Sequence, residues 1–351
     1  MKNEKRQLKK VFIVAAIVIT SIALKYADAC SRALWNDNKQ AVVVGRTLDW
    51  FMPMPADLYS LPRGIKRDGM TGKNTLTWTA KYGTIVTYSQ AVSDGMNEKG
   101  LSGHLLWLAE SDYGKFDPEK PSLNISLWLQ YYLDNFATVK GAVEFTEKTP
   151  FQIVPATIDG RKSGVHLAIE DASGDSAVIE YLKGKPTIYH GKEFTVMTNS
   201  PPYEEQLKNL KQYQGFGGDK ALPGTTEAAD RFVRGAYYLK HLTQPKSNRE
   251  CVAGVLSVMR NISAPFGESD PGRPNISPTR WRTVCDLTNL VYFFESTTSP
   301  NIIWVKLKEL DFSEGAGIRK LDLVKNPDRV GDCSRQFEPS EPFSVLKPDI
   351  E

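Results

Sequence analysis

The sequence predicts an α+β protein in which antiparallel sheets carry helices on their outer faces. Three observations lead there. Short runs of β-branched and aromatic residues dominate the chain after residue 30, two helix-periodic stretches follow, and strand blocks and helix blocks then alternate to the end. Strands grouped in blocks, instead of alternating one by one with helices, argue against parallel βαβ units. At 351 residues, with 41% apolar and 24% charged side chains, the chain can bury a full core, and residues 30–351 are read as one domain.

Strands are expected at 41–44, 76–79 and 83–88, each bounded by turn residues. Apolar residues at three- and four-residue intervals predict helices over 123–135 and 140–147. Strands return at 165–170, 176–181, 186–190 and 193–198. Helices are expected over 226–242 and 248–258, and the chain closes with strands at 283–286, 290–295 and 302–306. No internal repeat and no low-complexity linker interrupts this order.

The first 29 residues carry the three parts of a secretory signal: a basic start (Lys2, Lys5, Arg6, Lys9, Lys10), an apolar run over 11–24, and Ala27-Asp28-Ala29, which fits the small-x-small cleavage rule. Cleavage is predicted between Ala29 and Cys30. The run is too short for a stable membrane span, which needs roughly 20 residues, so the reading is export across the inner membrane to the periplasm. A lipoprotein signal also puts Cys at the cut, but normally with Leu three residues earlier and small neutral residues between; here Ala27 and Asp28 stand there. The formal net charge of +3 comes mostly from this basic start, so the remaining chain is near neutral. Nucleic-acid and membrane-surface partners lose their main support.

Four cysteines are present: Cys30, Cys251, Cys285 and Cys333. With Cys30 kept as a thiol, the others form at most one disulfide, and Cys251 and Cys285 read as core residues. No CxxC pair supports zinc or redox chemistry. The histidines His104, His166, His190 and His241 have neither metal-ligand spacing nor a Ser-His-Asp pattern, and read as structural.

A cysteine at a mature N-terminus has its own α-amino group, with a pKa of about 8, a few bonds from its thiol. That amine can take the thiol proton, leaving a thiolate that attacks a carbonyl, and can later protonate the departing amine. The segment Gly45-Arg46-Thr47-Leu48-Asp49-Trp50 puts Arg46 and Asp49 at the end of the 41–44 strand, where a hairpin would return beside Cys30. As neighbours the two are expected to neutralise each other, Arg46 favouring thiolate and Asp49 accepting from the ammonium. A solvated surface ion pair is the competing reading.

Cys30, GRTLDW at 45–50, DGMNEKGL at 94–101, TNSP at 198–201, the Gly-rich run 215–224 leading to Asp230-Arg231-Phe232-Val233-Arg234, and VCDL at 284–287 follow one another in order. Together they resemble the choloylglycine hydrolase family, which comprises conjugated bile salt hydrolases and penicillin V acylases, over residues 30–323. The resemblance implies a four-layer αββα sandwich of the N-terminal-nucleophile hydrolase type, a small-molecule amide substrate and no metal or organic cofactor. It implies Cys30 as nucleophile, Arg46 and Asp49 as the charged pair beside it, Asn199 as an oxyanion donor, and Arg231 as the active-site arginine, with Arg234 an adjacent candidate.

One position departs from the bile salt branch. After NEKGL, where those enzymes usually carry a second active-site Asn, this chain has Trp107. That substitution resembles the Gram-negative penicillin V acylases, which also attack acyl-homoserine lactones; Trp107 and Trp50 would then form an aromatic wall for a phenoxyacetyl or fatty acyl group. The stretch 202–215 is shorter than the loop that locks the tetramer in Gram-positive bile salt hydrolases; a homotetramer remains an implied assembly. Three functions stay in play: cleavage of penicillin V and acyl-homoserine lactones, cleavage of conjugated bile salts, and a non-catalytic lipoprotein on the same fold.

Overall fold

The structure is a computed structural model that describes residues 30–148, 150–266 and 277–350. The expected signal segment 1–29 and its cut lie outside the described residues.

The chain enters through the hairpin of β1 (Ser31–Trp35) and β2 (Val43–Asp49), which pairs Ser31 with Thr47 and Arg32 with Arg46. Asn38 closes the turn: its Oδ1 accepts from the backbone N–H groups of Gln40 and Ala41, and its Nδ2 donates to the Trp35 and Ala41 carbonyls. The remaining main strands are β3 (Asp57–Leu61), β4 (Thr84–Tyr88), β5 (Val92–Asn97), β6 (Ser102–Trp107), β7 (Val165–Glu170), β8 (Ser176–Leu182), β9 (Lys185–His190), β10 (Val196–Thr198), β11 (Thr279–Asp286), β12 (Val291–Ser296), β13 (Ile302–Lys306), β14 (Arg319–Leu321), β15 (Gly331–Asp332) and β16 (Glu338–Pro339). One seven-stranded sheet has the order β10-β1-β2-β11-β12-β13-β15, antiparallel except for its last pair. The other has nine strands, all antiparallel, in the order β9-β8-β7-β6-β5-β4-β3-β14-β16.

Helices α1 (Trp128–Asn135) and α2 (Val139–Glu147) pack on the nine-stranded sheet, and α4 (Ala228–His241) and α5 (Asn248–Asn261) on the seven-stranded one, with α3 (Tyr203–Leu210) against α4. The two sheets face each other, so the layers run helix, sheet, sheet, helix, as the resemblance implied. Apolar side chains fill the spaces between layers, which is where most of the stabilising burial lies. Between the sheets lies a polar cluster as well: His104 sits between Asp94 (Nδ1 to Oδ2 2.6 Å) and Glu170 (Nε2 to Oε1 2.8 Å), Arg32 Nε donates to Glu170 at 2.9 Å, and Thr283 and Tyr292 donate to Asp94.

Several expected elements shift. The 41–44 strand continues to Asp49, so Arg46 and Asp49 stand inside β2 instead of past its end. The 123–135 helix divides: Ser122–Asn124 pairs as a short strand with Gln152–Val154, Ile125–Leu127 forms a 3-10 turn, and α1 starts only at Trp128. Backbone groups explain the split, since Ser122 O accepts from Leu76 N and Asn124 N donates to Gly69 O. The 76–79 strand shortens to Thr77–Thr79 and joins Lys66–Asp68 in a separate ribbon. The 193–198 strand shortens to Val196–Thr198 because Phe194 N turns back to Gly191 O. Strands β1, β3, β5 and β6 and helix α3 carried no clear signal. In β5 and β6 the period is masked by the buried Asp94 and His104 and by two glycines. A Cβ on Gly103 would lie 2.5 Å from Leu129 Cδ1, and one on Gly95 2.8 Å from the Ile85 carbonyl oxygen, so these glycines let α1 press onto the sheet.

All four cysteines are free and buried, so Cys251, Cys285 and Cys333 form no disulfide.

Candidate active site

Period-two geometry decides which way the β2 side chains point. Val255 and Met259 of α5 occupy the space over Gly45, so Gly45, Thr47 and Asp49 face the helix layer. Arg46 and Leu48 face the gap between sheets. The odd spacing of Arg46 and Asp49, read from sequence as a mutually neutralising pair, instead sends them to opposite faces. Cys30, one residue ahead of β1, lies where both faces open.

Arg46 Nη2 approaches Cys30 Sγ at 3.9 Å and donates to the Leu105 carbonyl at 3.2 Å, while its guanidinium carbon sits 4.4 Å from the centroid of the Trp281 ring. Its Nε and Nη1 are buried and make no hydrogen bond. Stacking on an indole compensates part of that desolvation. A buried cation with spare donors beside a thiol is suited to an anion on that sulfur.

Asp49 is paired across the helix-facing side with Arg231: Nη1 to Oδ2 is 3.7 Å, with both groups fully buried. Burial pushes the Asp49 carboxyl up to about 6, against the pull of Arg231 first and Arg46 last. Arg231, on the first turn of α4, holds the start of the chain. Its Nη1 donates to the Cys30 carbonyl at 2.6 Å and to the Ser31 hydroxyl, and its Nη2 donates to Asn199 Oδ1 at 3.1 Å. Arg234 points away and donates to the Thr225 carbonyl, which separates the two adjacent candidates.

Asn199 follows β10, the strand beside β1, and so reaches Cys30 from the other flank. Its Oδ1 also accepts from Cys30 N, and its Nδ2 donates to the Trp107 carbonyl at 2.8 Å. One Nδ2 hydrogen is thus used and the second is left over. Gln206 of α3 fixes this loop by donating to the Asn199 carbonyl at 3.2 Å. Burial also pushes the Cys30 thiol up to about 11, with Arg46 opposing it and Asp49 reinforcing it.

Beside the thiol lies a cavity of about 90 Å³ lined by Cys30, Arg46, Leu48, Met54, Leu105 and the indoles of Trp50 and Trp107, whose ring centroids are 5.7 Å apart. Trp50 Nε1 donates to Asp159 Oδ2 at 2.8 Å, so a polar tip is satisfied while the ring faces the cavity. Every sequence-predicted site residue therefore converges on one place: Cys30, Arg46, Asp49, Asn199 and Arg231 around the thiol, and Trp50 and Trp107 along the cavity. Ser31, Leu105, Asp159, Gln206 and Trp281 were missed. Leu105 acts through its carbonyl and Trp281 through packing, while Ser31, Asp159 and Gln206 each supply a single polar side-chain atom, and none of these leaves a motif.

Two antiparallel sheets between helix layers, with a cysteine at the head of an inner strand, define an N-terminal-nucleophile hydrolase fold. Residues 30–324 match the linear amide C–N hydrolases of the choloylglycine hydrolase family. The chain belongs to this family and is a linear amide C–N hydrolase. It is 40% identical to a penicillin V acylase of Pectobacterium atrosepticum, over 98% of both chains. It is 25% identical to a bile salt hydrolase/transferase of Clostridium perfringens, over 77% of this chain and 90% of that one. The solved penicillin V acylase of Agrobacterium tumefaciens superposes with a TM-score of 0.83 at 41% identity, covering 90% of this chain and 99% of that one.

Proposed function

We propose that the chain is a cysteine acylase that cleaves penicillin V and N-acyl-homoserine lactones after a signal cut frees the amino group of Cys30 in the periplasm. One observation carries the reading: the Cys30 thiol, with Arg46 at 3.9 Å, borders an apolar cavity walled by Trp50 and Trp107. In the cycle, the freed amine takes the thiol proton and becomes an ammonium. Sulfur bonds to the substrate carbonyl carbon while the carbonyl electron pair moves to oxygen, where the spare Asn199 Nδ2–H donates. The carbon–nitrogen bond then breaks, the leaving nitrogen takes the ammonium proton, and water, deprotonated by the amine, releases the acid from the thioester. Asp49 and Arg231 hold the cysteine in place.

The cavity favours a slender acyl group. Its lining beside the thiol is almost wholly apolar, with the two indoles 5.7 Å apart. The test is a hydrolysis panel of penicillin V, long-chain acyl-homoserine lactones and glycocholate on one preparation, with the intact mass of the exported protein. Cleavage of the first two and a mass beginning at unmodified Cys30 are expected. A diacylated Cys30, or undiminished turnover by Cys30→Ser, would sink the reading.

A further inference from the structure

One wall of the acyl cavity comes from the C-terminal tail. Among the described residues lining it, Leu346 alone comes from the C-terminal tail, beyond the 30–324 range of the family match. The tail runs on from β16 and is pinned on both sides of Leu346. Tyr88 OH donates to the Ser344 carbonyl at 2.9 Å, and Phe343 stacks on Tyr88 with centroids 4.8 Å apart and planes 20° apart. Past Leu346, Asp349 N donates to the Pro155 carbonyl at 2.8 Å, and Thr157 Oγ1 donates to Asp349 Oδ2 at 3.0 Å.

The pin at Leu346 itself couples tail and wall. Asn124 Nδ2 donates to the Leu346 carbonyl at 2.6 Å, while Asn124 Oδ1 accepts from Ser126 N at 3.0 Å and caps the turn Ile125–Leu127. Ile125 and Ser126 line the same cavity. A single buried asparagine thus fixes the strap and the turn it lies on. A leucine held between backbone pins cannot swing aside without breaking several hydrogen bonds, whereas an unpinned tail would yield to any acyl group.

We propose that residues 343–349 are a specificity strap whose Leu346 closes the acyl cavity and sets the longest acyl group the enzyme accepts. The proposal rests on the acylase reading above for its substrate class. Each methylene that a pocket buries strengthens binding by about fourfold. In a homologous series of linear N-acyl amides, kcat/KM should rise by that factor per carbon and then stop at the length where the chain meets Leu346. Leu346→Ala removes three carbons, so the stop should move out by two or three methylenes. The kcat/KM ratio between substrates on either side of the old limit should then rise tenfold or more. Leu346→Trp should move the stop inward.

Binding of the free linear fatty acids, read by quenching of tryptophan fluorescence, carries the same comparison without turnover. If the wild-type protein cleaves no acyl amide, the acylase reading fails while the fatty-acid series still decides the strap. An unchanged limit in both variants, at wild-type Tm, overturns the proposal. So does an equal loss at every chain length, which would make the strap a structural element only.

Discussion

His104 is held between Asp94 and Glu170 deep between the sheets, and its charge should stabilise the fold at every pH below about 9. Burial opposes its protonation, but Glu170 first and Asp94 next overcome it and hold its pKa at about 9. Against an ordinary value near 6.5, that is worth about 3 kcal/mol, at roughly 1.4 kcal/mol per pKa unit. Because the folded pKa is raised, the stabilisation is complete below pH 6.5, declines as pH rises, and is gone above about 9. Glu170 moves the other way, held at about 2 by Arg32 and His104 against burial, so its contribution is present above pH 4.5 and lost as pH falls toward 2. Urea unfolding from pH 6 to 9.5 should show wild-type stability falling by about 3 kcal/mol more than that of His104→Gln. Titrating groups remote from His104, the α-amine included, are common to both proteins and cancel, and Asp94 and Glu170, which touch it, belong to the unit being measured. If His104→Gln is too unstable to measure, an NMR titration of the wild-type imidazole should give a midpoint near 9. Equal slopes in the two proteins, or a midpoint at the ordinary value, would refute the assignment.

Trp107→Ala removes one of the two indoles beside the thiol, and kcat/KM on phenoxyacetyl and acyl-chain substrates should fall tenfold or more, at about 1.4 kcal/mol per decade. Tm measured alongside separates pocket loss from unfolding, and a rise in glycocholate cleavage would show that the indole excludes the steroid. For Asp49, whose carboxyl burial holds at about 6, kcat/KM should show a second, lower acid limb near pH 6, beneath the one set by the Cys30 amine, as the carboxylate takes up its proton. Asp49→Asn should be poorly active and lack that limb; a limb that persists unchanged assigns it elsewhere. One extra residue left ahead of Cys30 should abolish turnover with Tm retained, since it replaces the amine by a nonbasic amide.

What could be read from sequence and what could not follows from how each residue does its work. Strands β7 and β13 were legible to the residue: β13 is an apolar run ended by Lys306, and β7 carries Val165, Leu167, Ala168 and Ile169, enough β signal to outweigh the buried His166 and Glu170. Strands β5 and β6 were not, since Asp94 and His104 turn their polar groups inward and Gly95 and Gly103 make room for α1. At the site, Cys30, Arg46, Asp49, Asn199 and Arg231 do come together, but Arg46 and Asp49, read as a pair, lie on opposite faces of β2. Once β2 runs unbroken to Asp49, a three-residue separation must put the two on opposite faces. The true partner of Asp49, Arg231, is 182 positions away along the chain, and the Trp281 platform under Arg46 comes from a different strand. Local spacing carries no record of either.

In the proposed mechanism, the need for a free amino terminus follows from what surrounds the sulfur. Burial pushes the Cys30 thiol up to about 11, so at neutral pH it keeps its proton even with Arg46 3.9 Å away. Some group must take that proton, and the described residues offer few. His104 is committed to two carboxylates, His166 to Glu180 at 2.9 Å, His190 to Asp175, and His241 to the Tyr237 carbonyl. Asp49 faces the helix layer and is tied to Arg231. Cys30 N, by contrast, is already fixed by its hydrogen bond to Asn199 Oδ1. As a peptide nitrogen it can only donate; as an amine in the same position it gains a lone pair beside the thiol. Cleavage ahead of Cys30 would therefore supply the missing base without rebuilding the site, and the amine would need to move no farther than its own bonds allow.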